Sequence, residues 1–317
     1  MGLKDSVAKR LRASRATWVT HNLLHYRELR RNQRHYEELG ISKPLVGSLS
    51  HRDIARHSDE VPWLDRPDAL QALHAHPDFE TFPEAVRSKL DGWVTDGLIV
   101  LEGYQDRGEV EEINADLERL FEQGTLKYHP LGKRIVNSFE HSEPARHAAT
   151  DPELMRLLSF LLGREVALFQ TINFFVGSQQ DAHSDSFHMT TEPMGYLIAI
   201  WLALEDVDPG SGPVFYYPGS HRLPYVMTED LGEIAGGETK EDGYSRRIAE
   251  LVAEHGLEPV EFTPNAGDLL IWHANLLHGG TAIRREGATR KSLVAHYFAK
   301  GVLCYHEVTE RPALVRA

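Results

Sequence analysis

The chain has 317 residues, of which 41% are hydrophobic and 26% charged, a composition that is typical of a folded globular protein and excludes an intrinsically disordered one. The 34 Lys and Arg residues are outnumbered by 47 Asp and Glu residues, and the net charge of −13 disfavours general nucleic-acid binding, which depends on a basic surface. The single cysteine, Cys304, excludes a disulfide within the chain and a metal site built from several thiolates.

The longest apolar run covers only residues 196–204, whereas a membrane-spanning helix needs about 20 residues. The N-terminus also lacks the apolar core of a secretion signal. We therefore expect a cytoplasmic protein that does not bind membranes.

The first 90 residues are expected to form an extension with little β-structure. Residues 1–44 contain ten Lys or Arg residues and four Asp or Glu residues, and residues 7–39 contain no Gly or Pro, which favours a helix. This basic arm either packs on the acidic body or forms a contact surface for a second subunit or an anionic carrier. Residues 40–83 are interrupted by prolines and predict irregular structure.

The remainder, residues 91–317, is predicted to be one mainly β domain with flanking helices. A turn and strand are expected over 94–101, and apolar spacing predicts helices over 109–123 and 244–255. Short apolar segments separated by Gly- and Pro-rich turns predict a sandwich or barrel of strands over 166–176, 196–204, 213–217, 260–263, 269–272 and 293–298. The second helix lies in an insert at 228–256, of which 232–243 is expected to be mobile. This insert and residues 40–83 are candidate lids.

Two histidines and an aspartate form the most informative pattern. His183 and Asp185 follow a predicted strand, and in extended backbone residues i and i+2 point to the same face. His278 follows a second strand. Two imidazoles and one carboxylate are the facial triad that suits non-haem Fe(II), because they leave three coordination positions open.

A basic and a hydroxyl side chain share a face farther along the chain. Arg290 and Ser292 open the strand predicted over 293–298, again at spacing i and i+2. Arginine binds a carboxylate through two parallel hydrogen bonds. These two residues therefore predict an anchor for a carboxylate, with a salt bridge at the barrel edge as the alternative for Arg290.

Six short motifs follow one another over about residues 90–300: His183-x-Asp185, Trp201, Pro218-Gly-Ser-His221, Gly267-Asp268, His278-Gly and Arg290-x-Ser292. This order resembles the phytanoyl-CoA dioxygenase family of Fe(II)- and 2-oxoglutarate-dependent oxygenases. The resemblance implies a double-stranded β-helix core (jelly-roll, cupin-like), with the N-terminal helical extension outside it. It also implies an enzyme that uses Fe(II), 2-oxoglutarate and O2 and releases succinate and CO2.

The resemblance assigns roles to individual residues. It implies that His183, Asp185 and His278 bind iron and that Arg290 binds the far carboxylate of 2-oxoglutarate. Ser292 is a second donor to that carboxylate, and Trp201 lines the cosubstrate pocket unless it is simply a core residue. Gly280 stands where some members carry a hydroxyl residue, and Thr281 is expected to compensate.

The expected reaction is hydroxylation of an unactivated C–H bond of a small or mid-sized metabolite. Asp185 argues against halogenation, because related halogenases carry a small residue at this position. Desaturation, cyclisation and epimerisation use the same ligands and remain open. Candidate substrate residues adjoin the metal motif or the Pro-Gly-Ser turn: Phe187, His188, Met189 and Tyr217.

Two readings from other classes also remain open. A three-His cupin-type metalloenzyme would use His188 as a third imidazole, and His273 is a rival to His278. A non-catalytic binding barrel would show no turnover. His221 is expected to be a turn residue near the mouth of the barrel and His296 to be structural.

Overall fold

The computed structural model describes residues 15–129, 132–232 and 239–314. The described helices are α1 (Arg15–Leu24), α2 (Tyr26–Leu29), α3 (Gln33–Glu38), α4 (Ala69–Ala75), α5 (Glu84–Arg87), α6 (Asp91–Asp96), α7 (Arg107–Glu122), α8 (Glu143–Ala149), α9 (Pro152–Leu162), α10 (Asp185–His188) and α11 (Lys240–Glu254). The strands are β1 (Leu98–Leu101), β2 (Arg134–Val136), β3 (Val166–Phe174), β4 (Thr190–Glu192), β5 (Leu197–Ala203), β6 (Val214–Tyr216), β7 (Val260–Phe262), β8 (Leu269–His273), β9 (His278–Gly280), β10 (Ser292–Ala299), β11 (Leu303–His306) and β12 (Arg311–Pro312).

Six strands form the main antiparallel sheet, in the order β1-β8-β5-β10-β3-β2. β5 lies between β8 and β10, and all of its residues are apolar and buried. A strand that is apolar at every position indicates a sheet that is covered on both faces. Each predicted strand overlaps an observed one: β1, β3, β5, β6, β7, β8 or β10. The sheet-rich core with flanking helices agrees with the expected fold class.

Alternate residues of β5 belong to two different cores. Ile198, Ile200 and Leu202 pack in the large cluster that contains the apolar faces of α7 and α9. Ala199 and Trp201 face the other way, in a cluster that includes residues of the second sheet, β7-β6-β9. We call this second cluster the interior, because it lies between the two sheets.

Helix α7 confirms the helix predicted over 109–123 and begins two residues earlier. Asp106 caps it: the Asp106 carboxylate accepts from Glu109 N–H, and the Glu109 side chain reaches back to Asp106 N–H. This capping box satisfies N–H groups that a helix start otherwise leaves unpaired.

Helices α8 and α9 were not expected from the sequence. Ser142 and Asp151 cap them, and each helix has a proline in its first turn. These are recognisable signals for a helix start. α9 then places six buried apolar side chains against the main sheet, which fixes its position.

The helix predicted over 7–39 is broken in the structure, and residues 1–14 lie outside the described ones. α1, α2 and α3 are separated by His25 and by a 3-10 turn at Arg30–Asn32. The extension packs on the body through an apolar cluster that joins its own side chains to two residues of β11: Tyr36, Ile41, Leu49, Ile54, Leu303 and Tyr305. This packing favours the expectation that the basic arm lies on the body.

Helix α11 covers residues 244–254 of the helix predicted over 244–255 and begins earlier, at Lys240. The segment 232–243, expected to be mobile, falls partly on residues 233–238, which lie outside the described ones, while residues 240–243 form the first turn of α11. Among the described residues, no helix combines the length and apolar character needed to cross a bilayer.

Candidate active site

His183 and His278 meet through their backbones. Each residue's N–H donates to the other's carbonyl at 2.9 Å, which forms an isolated antiparallel bridge. Gly279 permits this approach, because a Cβ there would lie 2.7 Å from the Gln180 carbonyl oxygen and 2.6 Å from the Phe215 ring. The two imidazole centroids are 4.5 Å apart, so backbone pairing brings these two predicted ligands together.

Both imidazoles are oriented by nearby carbonyl groups. His183 Nδ1 lies 2.8 Å from the Asp181 carbonyl oxygen, and His278 Nδ1 lies 3.0 Å from that of Leu276. A carbonyl can only accept, so Nδ1 carries the proton in both rings and Nε2 keeps a lone pair. Histidines that bind metals are commonly oriented in this way.

Asp185 reaches the same point from a different backbone than expected. The assumption of extended backbone is wrong at this residue, because Asp185 begins the short helix α10. Its Oδ1 nevertheless lies 3.8 Å from His278 Nε2, and ligand atoms of His183, Asp185 and His278 all lie within 4.8 Å of one another. The helical turn and the β-bridge together produce the convergence that the sequence argument attributed to a strand.

Two residues of the main sheet hold the Asp185 carboxylate. Trp272 Nε1 donates to Oδ2 at 2.8 Å, and His296 Nε2 lies 3.4 Å from the same oxygen. Oδ1 is therefore the oxygen that faces the other ligands. The sequence placed Trp272 at the end of a predicted strand, and His296 was expected to have a structural role only. A tryptophan in a buried strand needs an acceptor for its N–H, and that was the available signal.

The protonation states of this cluster suit a metal. Burial opposes a charge on Asp185, but the imidazoles of His278 and His296 hold the pKa of this carboxyl well below its ordinary value. Burial, together with His278, lowers the pKa of His183 to about 4. Near pH 7 the cluster thus offers a carboxylate and a neutral imidazole, as metal binding requires, and the His-Asp-His set fits Fe(II).

Arg290 is buried close to two aromatic rings. It is 1% exposed, and its guanidinium carbon is 5.5 Å from the Phe174 ring centroid and 5.6 Å from that of Trp201. Arg290 Nε and Nη1, Ser292 Oγ and Trp201 Nε1 are all buried without a hydrogen-bond partner among the described residues. Burial lowers the pKa of Arg290 to about 10, so the group is charged near pH 7.

A cluster of unsatisfied buried donors around a cation fits an anionic ligand. Each unsatisfied buried polar group costs roughly 1–3 kcal/mol, and a carboxylate would accept from the guanidinium through two bonds. The far carboxylate of 2-oxoglutarate is therefore a chemical match for this pocket.

Strand register connects the two pockets. Ser292 and His296 lie on the same face of β10, four residues or about 13 Å apart along the strand. Trp201 pairs with Val294, which lies between them, and both belong to the interior. Trp272, which donates to Asp185, belongs to the same interior. The surroundings of Arg290 and the His-Asp-His cluster therefore lie on the same side of the main sheet.

Thr281 gains no support for its predicted role. Its hydroxyl donates to the Pro213 carbonyl at 3.2 Å, so the backbone already uses it. A Cβ at Gly280 would lie 2.5 Å from Ser178 Oγ, and a hydroxyl residue there would require Ser178 to move.

The four candidate substrate residues lie in different surroundings. The His188 ring is 5.7 Å from that of His183. Phe187 is fully buried, and its ring stacks on that of Tyr244 with centroids 3.9 Å apart. Tyr217 packs against the apolar cluster that contains these two residues. Met189 lies in the main core, where Gln170 Nε2 contacts its sulfur at 3.1 Å. Of these four residues, His188 is the one whose described ring contact reaches the His-Asp-His cluster.

The rival histidine is committed elsewhere. His273 Nε2 lies 3.1 Å from Asp65 Oδ2, and its Nδ1 accepts from Asn275 N–H at 3.0 Å. Both ring nitrogens are thus occupied, which favours His278 as the second ligand. His221, expected near the mouth of the barrel, is buried beside His273, at 5.6 Å between ring centroids.

Tyr244 connects the insert to the segment that carries His183 and Asp185. The sequence analysis did not single it out. Ser184 N–H donates to the Tyr244 hydroxyl at 2.9 Å, and the Ser184 hydroxyl lies 3.0 Å from it. Ser184 stands between His183 and Asp185, so helix α11 contacts the loop that carries two of the three predicted ligands.

Comparison with known proteins gives a family match over most of the chain. The family described as phytanoyl-CoA dioxygenase (PhyH) matches residues 93–292. An ectoine dioxygenase from Halomonas elongata is 28% identical over 247 residues, which cover 70% of this chain and 71% of the relative.

Solved structures share the fold. The α-ketoglutarate-dependent epimerase SnoN from nogalamycin biosynthesis superposes with a TM-score of 0.56 at 24% identity, over 73% of this chain and 87% of the epimerase. EctD from S. alaskensis, solved with 2-oxoglutarate and 5-hydroxyectoine, superposes with a TM-score of 0.55 at 22% identity, over 72% of this chain and 82% of EctD. At these identities, the likeness establishes the fold alone.

Proposed function

This chain belongs to the phytanoyl-CoA dioxygenase family of Fe(II)- and 2-oxoglutarate-dependent oxygenases, and on that premise we propose that it hydroxylates an unactivated C–H bond of a small or mid-sized metabolite, releasing succinate and CO2. One observation carries the proposal: a His-Asp-His cluster and a buried arginine with unpaired donors lie on the same side of the main sheet. The first arrangement suits Fe(II), and the second suits the far carboxylate of a keto-diacid.

In this proposal His183, Asp185 and His278 hold the iron. Bound Fe(II) and 2-oxoglutarate supply the O2 activation that couples substrate oxidation to cosubstrate decarboxylation. Trp272 and His296 hold one oxygen of Asp185 and direct the other toward the metal position. The carbonyls of Asp181 and Leu276 keep both histidine Nε2 atoms available.

Arg290, Ser292 and Trp201 orient the cosubstrate in this proposal. The guanidinium binds its far carboxylate, the Ser292 hydroxyl adds a donor, and the Trp201 ring forms the apolar wall. The interior excludes water around these groups, which strengthens the charge-assisted hydrogen bonds. Thr281 is retained only as the sequence-based candidate.

The proposed architecture is a double-stranded β-helix domain over residues 91–317, with the insert at 228–256 and the helical extension at 1–90. The antiparallel sheets that enclose the interior support it. We place the protein in the cytoplasm and expect a small-molecule substrate without nucleic-acid or membrane partners. The exposed side chains of Leu23, Leu24 and Tyr26 on the extension support its use as a homo-oligomer contact.

The substrate class follows from charge and from relatives. The net charge of −13 disfavours a polyanionic acyl-CoA. The relatives named ectoine dioxygenases suggest a small metabolite here too. His188, beside the metal cluster, is the foremost candidate substrate contact, and Phe187, Met189 and Tyr217 are retained from the sequence.

The test has two stages. Anaerobic addition of Fe(II) and 2-oxoglutarate to the purified chain should give the weak visible charge-transfer band of the chelate. A metabolite screen scored by succinate release should then identify substrates, and product masses distinguish outcomes: one added oxygen for hydroxylation, loss of two hydrogens for desaturation or cyclisation, and unchanged mass for epimerisation. Absence of both the band and succinate would favour a non-catalytic barrel.

The three-His reading is tested separately. It requires His188 and dispenses with Asp185 and Arg290, so it predicts that His188→Ala abolishes metal binding while Arg290→Ala leaves turnover unchanged. The proposal predicts the opposite pattern.

A further inference from the structure

A second group of metal-ligand side chains lies outside the active site. His51 and His57 come from the N-terminal extension, Glu192 comes from the end of β4, and ligand atoms of the three lie within 4.8 Å of one another. This is the same limit that the His183, Asp185 and His278 group satisfies. None of the three residues takes part in the proposed reaction.

The distances in this outer cluster are close to those of a metal site. His57 Nδ1 lies 3.1 Å from Glu192 Oε2, and two ligands of a tetrahedral Zn²⁺ at 2.0–2.2 Å are roughly 3.4 Å apart. The His51 and His57 rings stack with centroids 4.0 Å apart. Glu229 Oε1 lies 3.7 Å from His51 Nε2, which adds a second carboxylate beside the cluster.

The surroundings leave negative charge without a matching cation. Glu192 is 2% exposed, and Glu307, which accepts from His51 N–H, is fully buried. No lysine or arginine in the described part of the chain forms a salt bridge with either carboxylate. A buried charge is retained in proteins when it is paired or binds a metal, and His57 is the only ionisable partner of Glu192 among the described salt bridges.

The surroundings of the two imidazoles suit a metal ion. His51 Nδ1 is buried without a hydrogen-bond partner among the described residues. Stacked imidazoles repel each other when both are protonated, whereas one divalent cation can satisfy both rings and the carboxylate.

The backbone around the cluster is already anchored. Glu307 Oε2 accepts from His51 N–H at 2.7 Å, and Glu192 Oε1 accepts from Ser58 N–H at 2.7 Å. These bonds anchor both ends of the segment that carries the two histidines, without any bound ion. All three residues also line the wall of a cavity of about 1200 Å³, which gives an ion a route of entry.

We propose that His51, His57 and Glu192 bind one divalent transition-metal ion, of the Zn²⁺ type, that fastens the N-terminal extension to the sheet-rich body. The ion joins loops at residues 51–57 to a strand about 135 residues later. His51 and His57 lie outside residues 93–292, which the family match covers, so that match does not account for this cluster.

The test separates this site from the active site. The full-length double variant Asp185→Ala/His278→Ala removes two inner ligands and serves as the background. After Zn²⁺ addition and gel filtration, elemental analysis of this background should find one equivalent of zinc. His57→Ala and Glu192→Gln, each added to the background, should lower Zn²⁺ affinity by at least about 10-fold.

The control is a histidine outside the cluster, and the readouts are bound zinc and the unfolding temperature. His74→Ala changes another histidine of the extension, which pairs with Asp91, and should leave the zinc equivalent intact. Zn²⁺ should raise the unfolding temperature of the background but not of the His57→Ala form. His57 is 39% exposed in its side chain, so this variant should fold, as circular dichroism will show. No bound zinc in the background, or equal binding with and without His57, would overturn the proposal.

Discussion

The molecule contains two clusters of the same composition, each with two histidines and one carboxylate. In the inner cluster, His183 and His278 exchange backbone hydrogen bonds and Asp185 is held by Trp272. In the outer cluster, loops of the extension dock against β4. The two inner histidines are thus positioned by strand pairing, whereas the outer cluster depends on how two parts of the chain pack. The same side-chain chemistry therefore results from two different kinds of structural support.

The surroundings separate the clusters by function. The inner cluster shares its interior with Arg290, whose unsatisfied donors suit a carboxylate cosubstrate. The outer cluster is surrounded by carboxylates, including Glu192, Glu229 and Glu307. An anionic cosubstrate would be repelled there, while a cation is attracted. This difference supports the two proposals, catalysis at the inner cluster and a structural role for the outer one.

The largest expected effect comes from removing the inner carboxylate. Asp185→Ala should weaken Fe(II) binding by more than about 100-fold, beyond the upper range for an outer-shell substitution, and should abolish succinate formation. Zinc binding at the outer cluster should not change. Metal titration and a succinate assay measure both effects.

Asp181→Ala is the matched control, because Asp181 is exposed and supplies only its backbone carbonyl to His183. Normal iron binding by Asp185→Ala would contradict the assignment of the inner site.

Removal of the buried arginine should affect the cosubstrate alone. Arg290→Met should weaken 2-oxoglutarate binding by at least about 100-fold, since two bonds to a charged group are lost at about 1.5–3 kcal/mol each. The protein without cosubstrate should not lose stability, because an unpaired buried cation is also removed. Calorimetric titration and thermal unfolding measure the two effects.

Arg285→Met, which changes an exposed arginine, is the control for Arg290→Met. If Arg290→Met bound 2-oxoglutarate as tightly as the unaltered chain, the Arg290 pocket would not be the cosubstrate site.

A weaker effect is expected from the indole that holds Asp185. Trp272→Phe removes the N–H donor to Oδ2 and frees the carboxylate to rotate, so Fe(II) affinity should fall by about 10-fold while 2-oxoglutarate binding changes less. Trp93→Phe controls for the loss of a buried tryptophan. Equal iron affinities in the two variants would show that Trp272 does not position the ligand.

The smallest effect concerns His221, which lines the cavity beside the outer cluster. Burial, and then His273, lowers the pKa of His221 to about 3 from an ordinary 6.5. Between these pH values the unfolded chain binds a proton that the folded chain does not, so His221 lowers stability as pH falls below 6.5.

His221→Gln should therefore lose less stability between pH 7 and 5 than the unaltered chain, by at most about 2 kcal/mol. Urea unfolding at the two pH values measures this, with the exposed His141→Gln as control. Parallel losses in all three proteins would contradict a neutral, buried His221.

Local spacing in the sequence was sufficient to single out the candidate site residues. His183 and Asp185 stand two residues apart and do converge, but through a helical turn where the spacing assumed extended backbone. Arg290 and Ser292, at the same spacing, are both buried with unpaired polar atoms. The strands were predictable because residues such as those of β5 are apolar at every position, and α7 because of its periodicity. For these strands and this helix the information lies within a few residues, where backbone geometry determines which side chains are neighbours.

Contacts between distant segments were decided only by the tertiary structure. The helical turn at Asp185, the indole of Trp272 on its carboxylate, the break in the N-terminal helix and the meeting of His51 and His57 with Glu192 left no local pattern. Each depends on how sheets and loops pack, since the partners are separated by many residues and their approach is set by burial of the surfaces between them. The chain's spacing thus pointed to the candidate ligands of the inner cluster, while packing determined what orients them and where a second cluster forms.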